Sequence, residues 1–249
     1  AMIGHYAKSK ESTKKAEQFL KLRVENDPSA VAPILNLARY YRQARDADAI
    51  LATIAPLLKD AKRFPKGHLI ASEFFVEAQA YGPAEKTLRE AIETRPEIRK
   101  EAEIQLARVI YLFNRTDEAF ALGDKLATQY PGDSEIGLLR ADLVEMAKRT
   151  DRYDATIQDL RALVDSPARK SEVHFSLGRV LRAKGDLTGA IGEFEESLKS
   201  NPTNSDALLA LVAVQISEKS YIPALKHIKT LLEADPDNPQ YRLLRALCL

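Results

Sequence analysis

The sequence predicts an all-α chain built from stacked helical hairpins, and three observations carry that prediction. Prolines recur at a fixed distance: Pro236 lies 34 residues after Pro202, and Pro131 lies 35 after Pro96, a spacing that marks helical repeat arrays. Small residues return at the same offset in each period. No run of alternating β-branched residues supports strands, and 45% hydrophobic content over 249 residues rules out a disordered chain.

Cutting at this period gives units 31–64, 65–99, 100–133, 134–170, 171–204 and 205–238, preceded by a partial unit at 3–30 and followed by a first helix alone at 239–249. Each unit is expected to form a helix, a short turn and a second helix. The eighth position holds Ala38, Ser72, Ala107, Ala141, Gly178 and Val212. The twentieth holds Ile50, Ala84, Ala119, Ala190 and Ala224, with Ala155 or Thr156 expected there in the fourth unit, whose three extra residues are placed near Lys148–Arg152. Small side chains on facing sides let two helix backbones approach closely, and larger residues fill the grooves between them. Leu88, Phe194 and Ile228 at position twenty-four are the expected plugs, each worth about 1.5–3 kcal/mol when buried. Pro96, Pro131, Pro202 and Pro236 end the second helices, because proline cannot continue one. The first full unit has Lys62 at that place. Gly185-Asp186 supplies a turn, with Asp186 as N-cap. In the partial unit Ala16, Leu20 and Pro28 fall at the expected offsets, and Ala1-Met2 reads as a cloning scar.

These residues resemble the tetratricopeptide repeat, W-x2-L-G-x2-Y…A-x3-F…P. Leu177-Gly178, Leu181, Ala190, Phe194 and Pro202 carry the match, and the resemblance covers nearly the whole chain. The chain has no Trp, so the fourth position is filled by Ile34, His68, Glu103, Gly137, His174 and Leu208. The resemblance implies a single array over 1–249: a right-handed α-solenoid (superhelix) of about six to seven hairpins, whose first helices line a concave groove that binds a partner protein or peptide. In such arrays positions two, five, six, nine, twelve and thirteen face the ligand. Position nine reads Arg39, Glu73, Arg108, Asp142, Arg179 and Ala213, alternating in sign, and position twelve reads Arg42, Val76, Tyr111, Glu145, Arg182 and Ile216. The candidate binding residues are Asn36, Arg39, Arg42, Glu73, Glu77, Arg108, Tyr111, Asp142, Glu145, Arg179 and Arg182.

Two readings of these charges are compatible. Helices packed about 8–10 Å apart bring opposite charges of successive units within reach, giving a ladder of ion pairs worth about 0–1 kcal/mol each. Alternatively the groove presents both signs to an extended polypeptide of mixed charge. Asn36 with Arg39 resembles part of a carboxylate clamp for a peptide C-terminus, but Lys66, Ile70, Glu101 and Gln105 do not complete it, and that activity is not carried over.

Composition narrows the remaining classes. A net charge of +1 argues against a general binder of nucleic acid or anionic membrane, and the 13 basic against 7 acidic side chains in residues 1–70 read first as a solvated face, with a polyanion site in the N-terminal third as the alternative. No apolar window is long enough for a transmembrane helix. Cys248, the single cysteine, forms no intramolecular disulfide. His5, His68, His174 and His227 lack partners at metal-ligand spacing, and His68 and His174 stand where the repeat carries its Trp, a packing position. Asp235–Asn238 lacks the glycine and distal glutamate of a calcium loop. Gly178–Gly185 has no phosphate-loop lysine.

The reading is therefore a non-enzyme without cofactor or metal. It is a scaffold for protein interaction; the alternatives are a structural spacer in a larger bacterial exopolysaccharide-export or secretion assembly, and a regulatory array attached to a catalytic domain. The compartment stays open between cytoplasm and periplasm. Leu138-Leu139-Arg140-Ala141 and Leu243-Leu244-Arg245-Ala246 sit at identical positions five to eight, so 239–249 reads as the start of a further repeat and the parent chain is expected to continue on both sides. The helix at 239–249 has apolar residues around more of its surface than one packing face can bury, and a two-fold symmetric self-association through it is expected.

Overall fold

The computed structural model describes residues 10–165 and 169–249. The expectations for Ala1-Met2, His5 and the start of the partial unit lie outside the described residues. Among the described residues the fold is all-α, with no strand: α1 (Lys10–Asn26), α2 (Val31–Ala44), α3 (Ala47–Lys59), α4 (Gly67–Glu77), α5 (Tyr81–Thr94), α6 (Arg99–Leu112), α7 (Thr116–Gln129), α8 (Ser134–Met146), α9 (Tyr153–Arg161), α10 (Lys170–Lys184), α11 (Leu187–Ser200), α12 (Ser205–Ser217), α13 (Tyr221–Ala234) and α14 (Pro239–Leu247). They gather into two compact units, one ending at Arg115 and the other starting at Thr116. In both units consecutive helices pack on each other, and first helices also meet, α4 on α6 and α8 on α10.

Every full repeat turns between its helices in the same way. Position fifteen is left-handed in all six: Arg45 (φ 59°), Gln79 (56°), Asn114 (61°), Lys148 (52°), Gly185 (96°) and Lys219 (58°). Its N–H donates to the carbonyl of position twelve, and the N–H of position sixteen donates to that of position eleven, as in Gly185 to Arg182 (3.0 Å) and Asp186 to Leu181 (2.9 Å). This double closure satisfies carbonyls that a helix end leaves open. Gly185 adopts it without a Cβ penalty. The other five pay roughly 1–2 kcal/mol for it, so the packing of the two helices, not the turn residue, imposes the conformation.

That regularity corrects the placement of the fourth unit's extra residues. Lys148 stands at position fifteen in step with the other units, so the insertion is not near Lys148–Arg152. A 3-10 turn, Thr150–Arg152, leads into α9, and Tyr153, Ile157 and Leu160 are buried at positions twenty, twenty-four and twenty-seven. Position twenty is thus Tyr153, not Ala155 or Thr156. The extra length lies after α9, before Lys170. The reason is physical: the turn within a hairpin is fixed by its hydrogen bonds and close helix contact, whereas a surface connection takes up added residues at small entropic cost.

The core follows the expected offsets. Ala38, Ser72, Ala107, Ala141 and Val212 are buried at position eight, and Leu88, Phe194 and Ile228 are fully buried at position twenty-four. A Cβ on Gly178 would lie 2.6 Å from Phe194 Cε1 and 3.2 Å from the Ala190 carbonyl oxygen, so α10 touches its own second helix there. Helices α5, α7, α11 and α13 each stop two residues before their proline. Helix α3 stops without one: the Asp60 carboxylate accepts from the Arg63 N–H (3.0 Å) and the Asp60 carbonyl from the Phe64 N–H (2.8 Å). First helices start from side-chain caps at Asp133, Asn204 and Asn238, and Asp186 caps α11 through the Gly189 N–H (2.8 Å). Asp235–Asn238 is accordingly an inter-repeat turn.

His68 and His174 are both buried, as a packing position requires. His174 Nδ1 lies 2.7 Å from Glu193 Oε2. Neither ring nitrogen of His68 has a hydrogen-bond partner, and Glu90 approaches only to 3.9 Å. Burial holds the His68 pKa below its ordinary 6.5, against the pull of Glu90, and burial acts the same way on His227. A base with a lowered pKa stays neutral in the native state while the unfolded chain takes up a proton. Stability is therefore full above the unfolded pKa and falls as pH drops through it. The melting temperature is expected to fall between about pH 7.5 and about pH 5.5, with a shallower slope in His68→Leu; a slope unchanged by that substitution would remove His68 from the account.

Candidate protein-binding surface

In the first unit, α2 and α4 bring two of the candidate residues together. Arg39 at position nine holds Glu77 at position thirteen of the next repeat, with Nη2 2.9 Å from Oε2 and Nε 3.2 Å from the same oxygen. Glu73 accepts from Gln105 Nε2 (2.9 Å), and Gln105 Oε1 accepts in turn from the buried Ser72 hydroxyl (2.8 Å). The alternation of signs points to Arg108 as a neighbour of Glu73, and Gln105 is a partner that it does not predict. Gln105 sits at position six, one turn earlier on α6, and its amide can both donate to the carboxylate and accept from Ser72. Asn36 is exposed on α2, while Arg42 and Tyr111 are half-buried.

In the second unit, α8 and α10 gather four candidates into one cluster. Arg179 reaches Asp142 (Nη1 to Oδ1, 3.0 Å) and also pairs with Glu145, while Arg182 Nη2 lies 3.6 Å from Glu145 Oε1. The Arg179 guanidinium also lies over the Phe175 ring, 5.6 Å from its centroid. All four charged side chains are half-buried, which leaves two cations and two carboxylates in balance on one face. Such a cluster orients side chains and can exchange partners with a charged ligand.

The next first helix continues the same offsets with different chemistry. On α12, Leu209, Ala213 and Ile216 fall at positions five, nine and twelve; Leu209 and Ile216 are half-buried and Ala213 is exposed. Candidates chosen by charge miss these apolar residues, and they miss Phe175. The offsets alone would have found them, since Ala213 and Ile216 already stand in the rows at positions nine and twelve. Among the described residues no group of His, Cys, Asp or Glu could hold a metal ion. No described helix is long and apolar enough to cross a membrane.

Two models of the tetratricopeptide repeat match the chain, over residues 143–205 and 181–248. Residues 143–248 carry tetratricopeptide repeats. Solved structures place the tetratricopeptide-repeat fold over a larger share of the chain. A thermophilic tetratricopeptide-repeat protein of Thermus thermophilus is 18% identical, with a TM-score of 0.61 over 74% of this chain and 97% of that one. PilW, a type IV pilus biogenesis factor, is 17% identical, with a TM-score of 0.60 over 85% of this chain and 96% of that one. Yeast Tom70 is 14% identical, with a TM-score of 0.55 over 95% of this chain and 57% of that one. None of the curated proteins matches. Tetratricopeptide repeats generally serve as protein–protein interaction modules.

Proposed function

We propose that this protein is an interaction scaffold that holds an extended segment of a partner polypeptide against its first helices. The observation that carries the proposal is the change of character along one set of offsets in the second unit. Asp142, Glu145, Arg179 and Arg182 form an ion-pair cluster, and Ala213 and Ile216 follow at the same positions of α12. A segment with polar residues followed by apolar ones would meet both. Its apolar part would be worth about 25 cal/mol per Å² buried, and its polar part would exchange with ion pairs that contribute only about 0–1 kcal/mol each where they stand. Asn36, Arg39, Arg42, Glu73, Glu77, Arg108 and Tyr111 are proposed as the corresponding contacts on α2, α4 and α6.

The test uses peptides selected from a random display library, with affinities measured by fluorescence polarisation on the unaltered chain, Ala213→Glu and Arg182→Glu. Ala213→Glu is expected to weaken binding at least tenfold, or about 1.4 kcal/mol, and Arg182→Glu to reduce the salt dependence. Peptides that bind all three proteins equally would overturn the assignment of this surface.

A further inference from the structure

We infer that the partner segment carries basic side chains along the edge that faces position two of α10 and α12, and apolar ones along the opposite edge; this rests on the segment lying against the first helices. The unbalanced charges of the second unit's groove point to it. Five acids stand at its groove positions: Glu135, Glu172 and Asp206 at position two, Asp142 at nine and Glu145 at twelve. Three of these are already matched. Arg169 Nη2 lies 3.2 Å from Glu135, and Arg179 and Arg182 serve Asp142 and Glu145. Glu172 and Asp206 are exposed, and neither carboxylate has a partner among the described residues. No further lysine or arginine stands at the groove positions to balance them.

Starting a first helix does not require these two acids. Acids favour the first turn of any helix through its dipole, yet α2 and α4 begin with none there. Position two of those helices is Ala32 and Lys66. On α12 the N-cap is Asn204, whose Oδ1 accepts from the Ala207 N–H at 3.2 Å, so Asp206 is not the capping group. Both carboxylates are left pointing at whatever lies along the groove's edge.

What flanks the two carboxylates is apolar. Position five lies one turn further along the same face of each helix, and it holds Phe175 beside Glu172 and Leu209 beside Asp206, both half-buried. On α12 that face continues as Ala213 and Ile216, which gives an acidic edge and an apolar one. Side chains of an extended segment point alternately to opposite sides. A segment laid across these helices therefore turns every second side chain toward Glu172 and Asp206, and those between toward the apolar edge. Lysine or arginine alternating with leucine, isoleucine or valine meets both. Acidic residues would instead face like charge, and the arginines of α10 are already engaged by α8.

Fluorescence polarisation on the whole chain tests this with short labelled peptides in which leucine alternates with lysine, with glutamate or with serine. The lysine peptide is expected to bind about tenfold tighter than the glutamate peptide at low salt, with the difference narrowing as salt is added. Glu172→Lys with Asp206→Lys is expected to invert that order. Glu195→Lys with Glu233→Lys makes the same change of net charge at exposed positions of the second helices α11 and α13, and is expected to keep it. Circular dichroism melts check that both variants fold. An order inverted equally by both variants, or by neither, overturns the assignment of the basic edge to Glu172 and Asp206. Tighter binding of the serine or glutamate peptide to the unaltered chain, lost in Ala213→Glu, overturns the basic partner while leaving the groove as the binding surface. Binding of all three peptides that Ala213→Glu does not change overturns both.

Discussion

Gly67→Ala is expected to destabilise the first unit by about 3 kcal/mol, the upper end of ordinary overpacking costs. A Cβ on Gly67 would lie 1.8 Å from the Leu57 carbonyl oxygen, 2.7 Å from its carbon and 3.1 Å from its Cα. These are backbone atoms of α3, so no side chain can rotate away and the two helices must separate. Leu57 and Ile54 are fully buried beside this contact, so separation also opens the core. Urea unfolding checks the effect as a lowered midpoint. Gly82→Ala serves as control: it lies in α5 with nothing within 4 Å of the added methyl, and exchanging glycine for alanine in an open helix position is worth up to about 1 kcal/mol of stability. Equal midpoints for Gly67→Ala and the unaltered chain would mean that α3 and α4 do not approach this closely.

Gly178→Leu is expected to cost about 2–3 kcal/mol in the second unit. The first added carbon already meets Phe194 Cε1 at 2.6 Å and Cδ1 at 2.7 Å. Phe194 is fully buried with Phe175 beside it, so the ring has nowhere to turn. Gly192→Ala on the neighbouring α11 meets nothing within 4 Å and is expected to raise the melting temperature slightly. A melt unchanged by Gly178→Leu would sink the assignment of this glycine as the contact between α10 and α11. Gly137 offers a graded case: its methyl would meet only the Cδ1 of Leu163 closely, at 2.4 Å. That flexible tip can shift, so Gly137→Ala should cost less than Gly178→Leu.

The two glycines differ in how far they could be read in advance. Gly178 falls at position eight among Ala38, Ser72, Ala107 and Ala141, so its role as a close contact follows from comparison between units. Gly67 stands at position three, where no other unit carries glycine, and nothing local marks it. Its requirement arises from where α3 ends, which depends on Asp60 closing that helix without a proline. The candidate binding residues divide similarly. Arg179 with Asp142 follows from opposite signs at one offset in successive repeats, but Glu73 is engaged by Gln105, because an amide one turn away presents both a donor and an acceptor.

The sequence by itself determined the period, the helix–turn–helix unit, the small residues at position eight, the plugs at position twenty-four and the stops before Pro96, Pro131, Pro202 and Pro236. Each of these is a local or nearest-neighbour constraint repeated at a fixed spacing, and repetition makes such constraints visible without coordinates. Only the tertiary structure decided the rest. It put the fourth unit's extra residues after α9, because the left-handed turn at Lys148 is imposed by two packed helices and any residue can be driven into it. It set Gly67 against the Leu57 carbonyl, and it left Phe19, Leu22, Leu243 and Leu247 uncovered. Exposure depends on which neighbours a face meets, and hydrophobicity read along the chain cannot distinguish a leucine that finds a neighbour from one that does not.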